Sequence, residues 1–281
     1  MTLLTLGFSP CPNDTFLFAG LVNGWCAHGV SLFAPPFLED VETLNRWAFE
    51  RRLDVTKLSF HALGHVLDEY CVLAAGSALG RGCGPLLVTA GATSVAALDG
   101  ARIAIPGAYT TAALLFTMYF PGSAETVEMR FDRILPAVAA GEVAAGVIIH
   151  ESRFTYRQLG MTCLQDLGQW WEDTTGLPIP LGCIAARRSL GQARLRSIED
   201  QIRASLQFAR CHPQRCRDYI RHHAQETEEA VIDAHIDLYV NDYTMDLGDA
   251  GRAAVAAFLQ RGRTSGSLPT GESGSFCSGC A

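Results

Sequence analysis

"RFDRILPAVAAGEVAAGVIIHESRFTY", residues 130–156, sets the pattern for the chain. It reads as a helix, a turn at Gly141 and Glu142, and a buried strand from Ala144 to Ile149. That strand runs straight into His150, Glu151, Ser152 and Arg153, an unusual group of polar residues at the end of an apolar run. Similar units lie upstream. "ARIAIPGAYTTAALLFTMYF" (101–120) predicts a strand, a loop at Gly107 and a helix opened by Thr110 or Thr111. "LDVTKLS" (53–59) predicts a strand ending in Lys57, Leu58 and Ser59, preceded by a helix that Glu39 or Asp40 opens. "TLLTLGF" (2–8) leads to "SPCPNDTFLFAGLVNG" (9–24), a loop and helix with Asn13 or Asp14 as cap.

Strands alternating with helices predict an α/β fold with mixed, mostly parallel sheets and flanking helices. The chain of 281 residues is long enough for two domains of roughly 100–200 residues each. Residues 91–179 read as a smaller α/β lobe inserted into a larger one built from 1–90 and 180–262. Two lobes with two crossings make a clamshell that closes on a small molecule. The Gly/Ser-rich stretch 263–281 predicts a disordered tail.

Composition narrows the function. A net charge of −7 argues against nucleic acid or an anionic membrane surface as partner. No apolar run approaches the roughly 18 residues of a spanning helix. The first basic residue is Arg46, so no secretory signal is read and the expected compartment is the cytoplasm. The ten cysteines should then be reduced thiols, mostly buried. Cys277 and Cys280 form a lone C-x-x-C with no second pair, too little for a metal or redox site. Of 22 basic residues only Lys57 is lysine, which marks a place where a compact ammonium is needed.

In open parallel sheets, ligands bind beyond the carboxyl ends of strands. Four such ends carry polar residues: Ser9 to Asn13, Lys57 to Ser59, Gly107 to Thr111, and His150 to Arg153. The helix after Gly107 offers unpaired N–H groups to an anion. Ser59 either caps the next helix or meets a ligand, and Lys57 can hold an anion or polarise a carbonyl. A neutral histidine at a strand end suits general-base work, with Glu151 or a carbonyl fixing its tautomer. Arg153 serves an anion or braces the loop. His61 and His65, four apart, lack the third ligand of a metal site, and no metal or other cofactor is expected.

Seven stretches in order carry a family resemblance: "GFSPCPNDTFLF" (7–18), "LEDVETLNRWA" (38–48), "TKLSF" (56–60), "GSALGRGCGPLLV" (76–88), "PGAYTTA" (106–112), "RFDRILPAV" (130–138) and "GVIIHESRFTY" (146–156). Together they resemble the 1,4-dihydroxy-6-naphthoate synthase family of the futalosine route to menaquinone. The resemblance implies a two-lobed, type II periplasmic-binding-protein-like clamshell that acts as a carbon–carbon lyase without cofactor. Its implied substrate is a small anion, cyclic dehypoxanthine futalosine. It implies His150 as proton acceptor, with Lys57, Leu58, Ser59, Thr111 and Ala112 binding substrate. Ser9, Asn13, Asn45, Glu151 and Arg153 fall in the same stretches as further pocket candidates. The alternatives are the chorismate dehydratase of the same pathway and a non-catalytic binding protein of the same fold.

Overall fold

The computed structural model describes residues 2–26, 32–91, 94–120, 122–225, 228–271 and 274–277. Its strands are β1 (Leu6–Phe8), β2 (Phe37–Leu38), β3 (Val55–Ser59), β4 (Tyr70–Val72), β5 (Ala78–Gly80) and β6 (Leu86–Thr89). Then come β7 (Arg102–Ile105), β8 (Glu125–Glu128), β9 (Ala145–Ile148), β10 (Thr162–Asp166) and β11 (Ile179–Arg187). The helices of the first half are α1 (Pro12–Val22), α2 (Val41–Phe49), α3 (Phe60–His65), α4 (Thr111–Tyr119), α5 (Phe131–Ala139) and α6 (Ser152–Thr155). The second half adds α7 (Leu167–Thr175), α8 (Gln192–Cys211), α9 (Pro213–His223), α10 (Glu229–Tyr239), α11 (Asp242–Met245) and α12 (Gly248–Thr264).

Two sheets organise these elements. One runs β2-β1-β3-β11-β4 with β5 also on β11, and the other runs β10-β6-β9-β7-β8. Parallel pairing joins β1 to β2 and β3, and β7 to β8 and β9. Pairing is antiparallel along β11, where the chain returns against β3, β4 and β5, and around β6, which meets β9 and β10. The sheets are therefore mixed, and parallel pairing does not dominate them as expected. The return strand is the cause: β11 enters from the second sheet and runs back against three strands of the first.

The chain crosses between sheets at 81–85 and again at 176–178. The first crossing lies earlier than the expected boundary at 91, because β6 pairs with β9 and β10. A short apolar run such as Leu86–Val88 fits either sheet, and its pattern alone cannot say which it joins. At the second crossing the buried Trp171 of α7 donates its indole N–H to Pro178 O at 3.1 Å, fixing the entry to β11.

The tail is a second correction. Leu268 is buried and fills the space beside Gly64 and Gly262, where an added Cβ would meet it at 2.6 and 2.7 Å. Further on, Val72 N donates to Ser275 O and Cys277 N to Val72 O. Cys277 is buried and forms a disulfide with Cys71. Three apolar anchors, Leu268, Phe276 and Cys277, hold a stretch whose average composition reads as disorder. The expectation of ten reduced thiols fails at this pair; Cys280 lies outside the described residues. Among the described residues no helix is long and apolar enough to cross a membrane.

Candidate active site

A half-open pocket lies where the polar strand ends of the two sheets face each other. Its wall takes Ser9, Asn13 and Asp14 after β1, Lys57 and Ser59 from β3, Thr110 to Ala112 after β7, and His150 after β9. Successive side chains of a strand point to opposite faces, so Lys57 and Ser59 share the pocket side. Leu58, between them, turns its fully buried side chain into the core, so of the expected binding trio it alone has no side chain in the pocket wall.

One end of the pocket is built from hydrogen-bond donors. Ser59 precedes α3 but its hydroxyl makes no cap bond; it accepts from Asn45 Nδ2 at 3.1 Å. The serine hydrogen is therefore left to donate. Asn45 does not line the pocket; it stands behind Ser59, also accepting from Ser59 N at 2.9 Å. At α4 the cap is Thr110, which accepts from Ala113 N at 3.2 Å. Thr111 bridges the sheets instead: it donates to Leu181 O at 2.6 Å and accepts from Phe60 N at 3.1 Å. The first-turn amides of Thr111 and Ala112 precede any intrahelical bond and face the positive end of the helix dipole. Gly107 holds φ +141°, and an added Cβ would fall 2.5 Å from Glu42, so this turn demands glycine. Glu42 in turn accepts from Tyr109 N at 3.2 Å. Burial pushes its carboxyl up to about 7, against the pull of Asn45 and Arg46.

The other end holds charge and imidazole. Asp14 opens no helix: α1 begins at Pro12 after an uncapped Cys11, and the Asp14 carboxylate folds back into the site. Its Oδ1 accepts from Lys57 Nζ at 2.6 Å and Asn13 Nδ2 at 2.8 Å, and its Oδ2 from Ser9 Oγ at 2.7 Å. Both ions are buried, and this full set of donors is what such a pair requires. The only lysine of the chain thus neutralises a buried carboxylate.

His150 sits at φ +56°, a left-handed conformation that costs a non-glycine residue about 1–3 kcal/mol. The turn carries its ring to Phe131, 4.9 Å between centroids, and to Cys11, whose Sγ is 3.5 Å from Nδ1. Burial lowers its pKa to about 4, aided by the Lys57 charge and opposed by Asp14. The imidazole is therefore neutral near pH 7. Cys11, His150 and Glu151 bring one donor atom each within 4.8 Å of one another, a spacing that a cation could bridge. Burial and then the Glu151 charge push the Cys11 thiol well above its usual range, so without an ion the cysteine is protonated. The contact is accordingly one between thiol and imidazole. Glu151 is buried behind His150 and does not line the pocket. Arg153 also lies outside it, bracing the first crossing through Gly82 O at 2.8 Å and Asp166 at 2.7 Å. His61 and His65 belong to an aromatic cluster with Tyr109.

Besides apolar and backbone parts of the wall, three residues with chemistry to offer escaped the reading of the sequence. Asp14 had looked like a helix cap. His235 and Tyr239 arrive from α10, in "VIDAHIDLY", where nothing local distinguishes them from helix-face residues.

Residues 4–264 match the family model described as "Menaquinone biosynthesis". The chain is 52% identical to the 1,4-dihydroxy-6-naphthoate synthase of Thermus thermophilus, over 95% of this chain and 96% of that one. The enzyme of the same name from Streptomyces coelicolor is 46% identical, over 95% of each chain. The chain belongs to the 1,4-dihydroxy-6-naphthoate synthase family of menaquinone biosynthesis. It is thus an enzyme, and the pocket between its sheets is the natural place for its chemistry. A solved protein of Archaeoglobus fulgidus shares the fold at TM-score 0.88 and 35% identity, covering 94% of this chain and 97% of that one. The periplasmic aliphatic sulphonate-binding protein of Escherichia coli superposes at TM-score 0.64 with 12% identity, covering 95% and 89%. That likeness concerns the fold alone: a two-sheet, periplasmic-binding-protein-like α/β architecture.

Proposed function

We propose that the pocket converts cyclic dehypoxanthine futalosine into 1,4-dihydroxy-6-naphthoate and a sugar-derived fragment, with His150 as the base. The observation that carries this reading is the conformation of His150: a neutral imidazole held in a strained turn at the pocket wall. Strain of this kind persists where the surrounding structure enforces it, and it collects at active sites. In this role the His150 Nδ1 carries the hydrogen toward the Cys11 sulfur, 3.5 Å away, and the Nε2 lone pair meets the substrate.

The substrate is a small anion, and its carboxylate goes to the donor end, at Ser59 O–H and the amides of Thr111 and Ala112. The donors there are held from behind by Asn45 and Leu181. His150 then takes a proton made acidic by an adjacent carbonyl. The electron pair passes through an enolate and expels the sugar-derived portion, and the remaining bicycle becomes aromatic. Lys57 reaches the reacting centre through Asp14 as part of a neutral pair, which serves to fix the polar wall rather than to attract the anion from afar. The two sheets correspond to two lobes that meet at 81–85 and 176–178, and closure about these crossings seals the pocket. A cytoplasmic place of action belongs to the same proposal.

The test is a paired assay of wild type and His150→Asn with the cyclic substrate, following dihydroxynaphthoate by chromatography. Wild type should form product, and the variant should lose about 10²–10⁴ in kcat. Equal turnover by both would remove His150 from the base role. A folded wild type that forms no product would sink the reading, with chorismate as the next substrate to try.

A further inference from the structure

His235 is fully buried in the pocket wall, yet the reaction described above does not use it. Its Nε2 lies 2.9 Å from Asn13 Oδ1. The Asn13 amide cannot be turned round, because its Nδ2 is already donating to Asp14 Oδ1 at 2.8 Å. Oδ1 must therefore accept, and Nε2 must carry the hydrogen. The tautomer follows: Nδ1 holds a lone pair. That buried nitrogen has no hydrogen-bond partner among the described residues. A buried acceptor without a partner costs about 1–3 kcal/mol, and its retention in a ring that lines the pocket points to a ligand that reaches Nδ1 when the wall shifts, because the atom is closed to solvent in this conformation.

The ring is also held in place. It stacks on His150 at 6.2 Å with 17° between planes, and on its other contacts meets Tyr239 at 4.6 Å and Phe154 at 6.3 Å. Burial, then the neighbouring His150 and Lys57, push its pKa well below the usual histidine range, so it offers a lone pair and not a charge.

We propose that His235 Nδ1 accepts a hydrogen bond from a hydroxyl of the sugar-derived part of the substrate, orienting that part beside His150. This rests on the reading of the reaction given above. The donor end of the pocket takes the carboxylate, and an acceptor beside the base is what a hydroxyl-bearing leaving portion requires.

Two substitutions separate this role from simple support of Asn13. His235→Gln places an N–H near the Nε2 position and removes the acceptor; His235→Asn keeps an acceptor near Nδ1 and removes the donor to Asn13. The expected result is a loss of about tenfold or more in kcat/KM for His235→Gln, the worth of one hydrogen bond. His235→Asn should retain more activity than His235→Gln. Binding of the product dihydroxynaphthoate, which lacks the sugar-derived part, should be the same in all three proteins. The opposite order, or weakened product binding in both variants, would show a structural role and overturn the proposal. Where a variant does not fold, the wild type is assayed on analogues lacking each sugar hydroxyl in turn. One analogue should lose about tenfold; no loss with any overturns the proposal. Turnover with unchanged His235 variants refutes this inference alone, whereas a folded wild type without turnover refutes the reaction as well.

Discussion

The two ends of the pocket are made in different ways. At Ser59 and Thr110 to Ala112, neutral hydroxyls and amides come from two strand–helix junctions, and each is fixed by one or two neutral hydrogen bonds. At the other end, Asp14, Lys57, His150 and His235 come from four separate elements, and an ion pair with its donors holds part of the wall. The first end needs only local backbone geometry; the second needs groups whose protonation is set by burial and by one another. Damage should therefore spread differently from each end.

The largest effect on stability should come from the charged end. Lys57→Met leaves the Asp14 carboxylate buried with its Ser9 and Asn13 donors but no countercharge, and should cost about 3–5 kcal/mol in urea unfolding. Replacing both ions, as Lys57→Met with Asp14→Leu, should recover most of that loss while activity stays low. A loss below about 1 kcal/mol for the single variant would mean that the pair is solvated and the contrast between the ends is wrong. Thr111→Val at the neutral end removes both bonds by which the start of α4 reaches the first-sheet side, to Leu181 O and from Phe60 N. It should cost about 1–3 kcal/mol and raise KM more than it lowers kcat; a fall in kcat alone would place Thr111 in the chemistry instead.

The smallest effect concerns Glu42, which joins α2 to the turn before α4. Its folded pKa of about 7 lies above the ordinary carboxyl value of 4.5, so the folded chain keeps a proton that the unfolded chain releases. The stabilisation this brings is fully present below about pH 4.5 and is lost as pH rises through about 7. Melting temperatures of wild type and Glu42→Gln, measured from pH 4 to 8, should drift apart in that window, with the wild type declining relative to the variant. Parallel curves would show that folding leaves the Glu42 pKa unchanged.

The same contrast explains what the sequence disclosed. Strand ends and helix starts are local patterns, so Ser59, Thr111, Ala112 and His150 could be picked out from neighbours in the chain. Asp14 was misread because aspartate near a helix start ordinarily caps it, and only the position of Lys57 in β3 draws it elsewhere. His235 was invisible because its meaning depends on Asn13, more than two hundred residues away. The large antiparallel share of the mixed sheets escaped for a related reason: the apolar pattern of β11 tells of burial, but not of the direction of its neighbours. The tail was judged by its average, although three residues in it decide its course.

That tail has a consequence for association between molecules. β4 is the last strand in its row, and such a strand offers unpaired backbone groups on which another chain can build. Ser275 to Cys277 occupy those groups at Val72, using residues beyond the part that matches the family model. The Cys71–Cys277 link turns this cover from a reversible contact into a covalent one. The protein thus covers this edge of its sheet with its own tail, and the oxidation state of two sulfurs determines how firmly the cover is held.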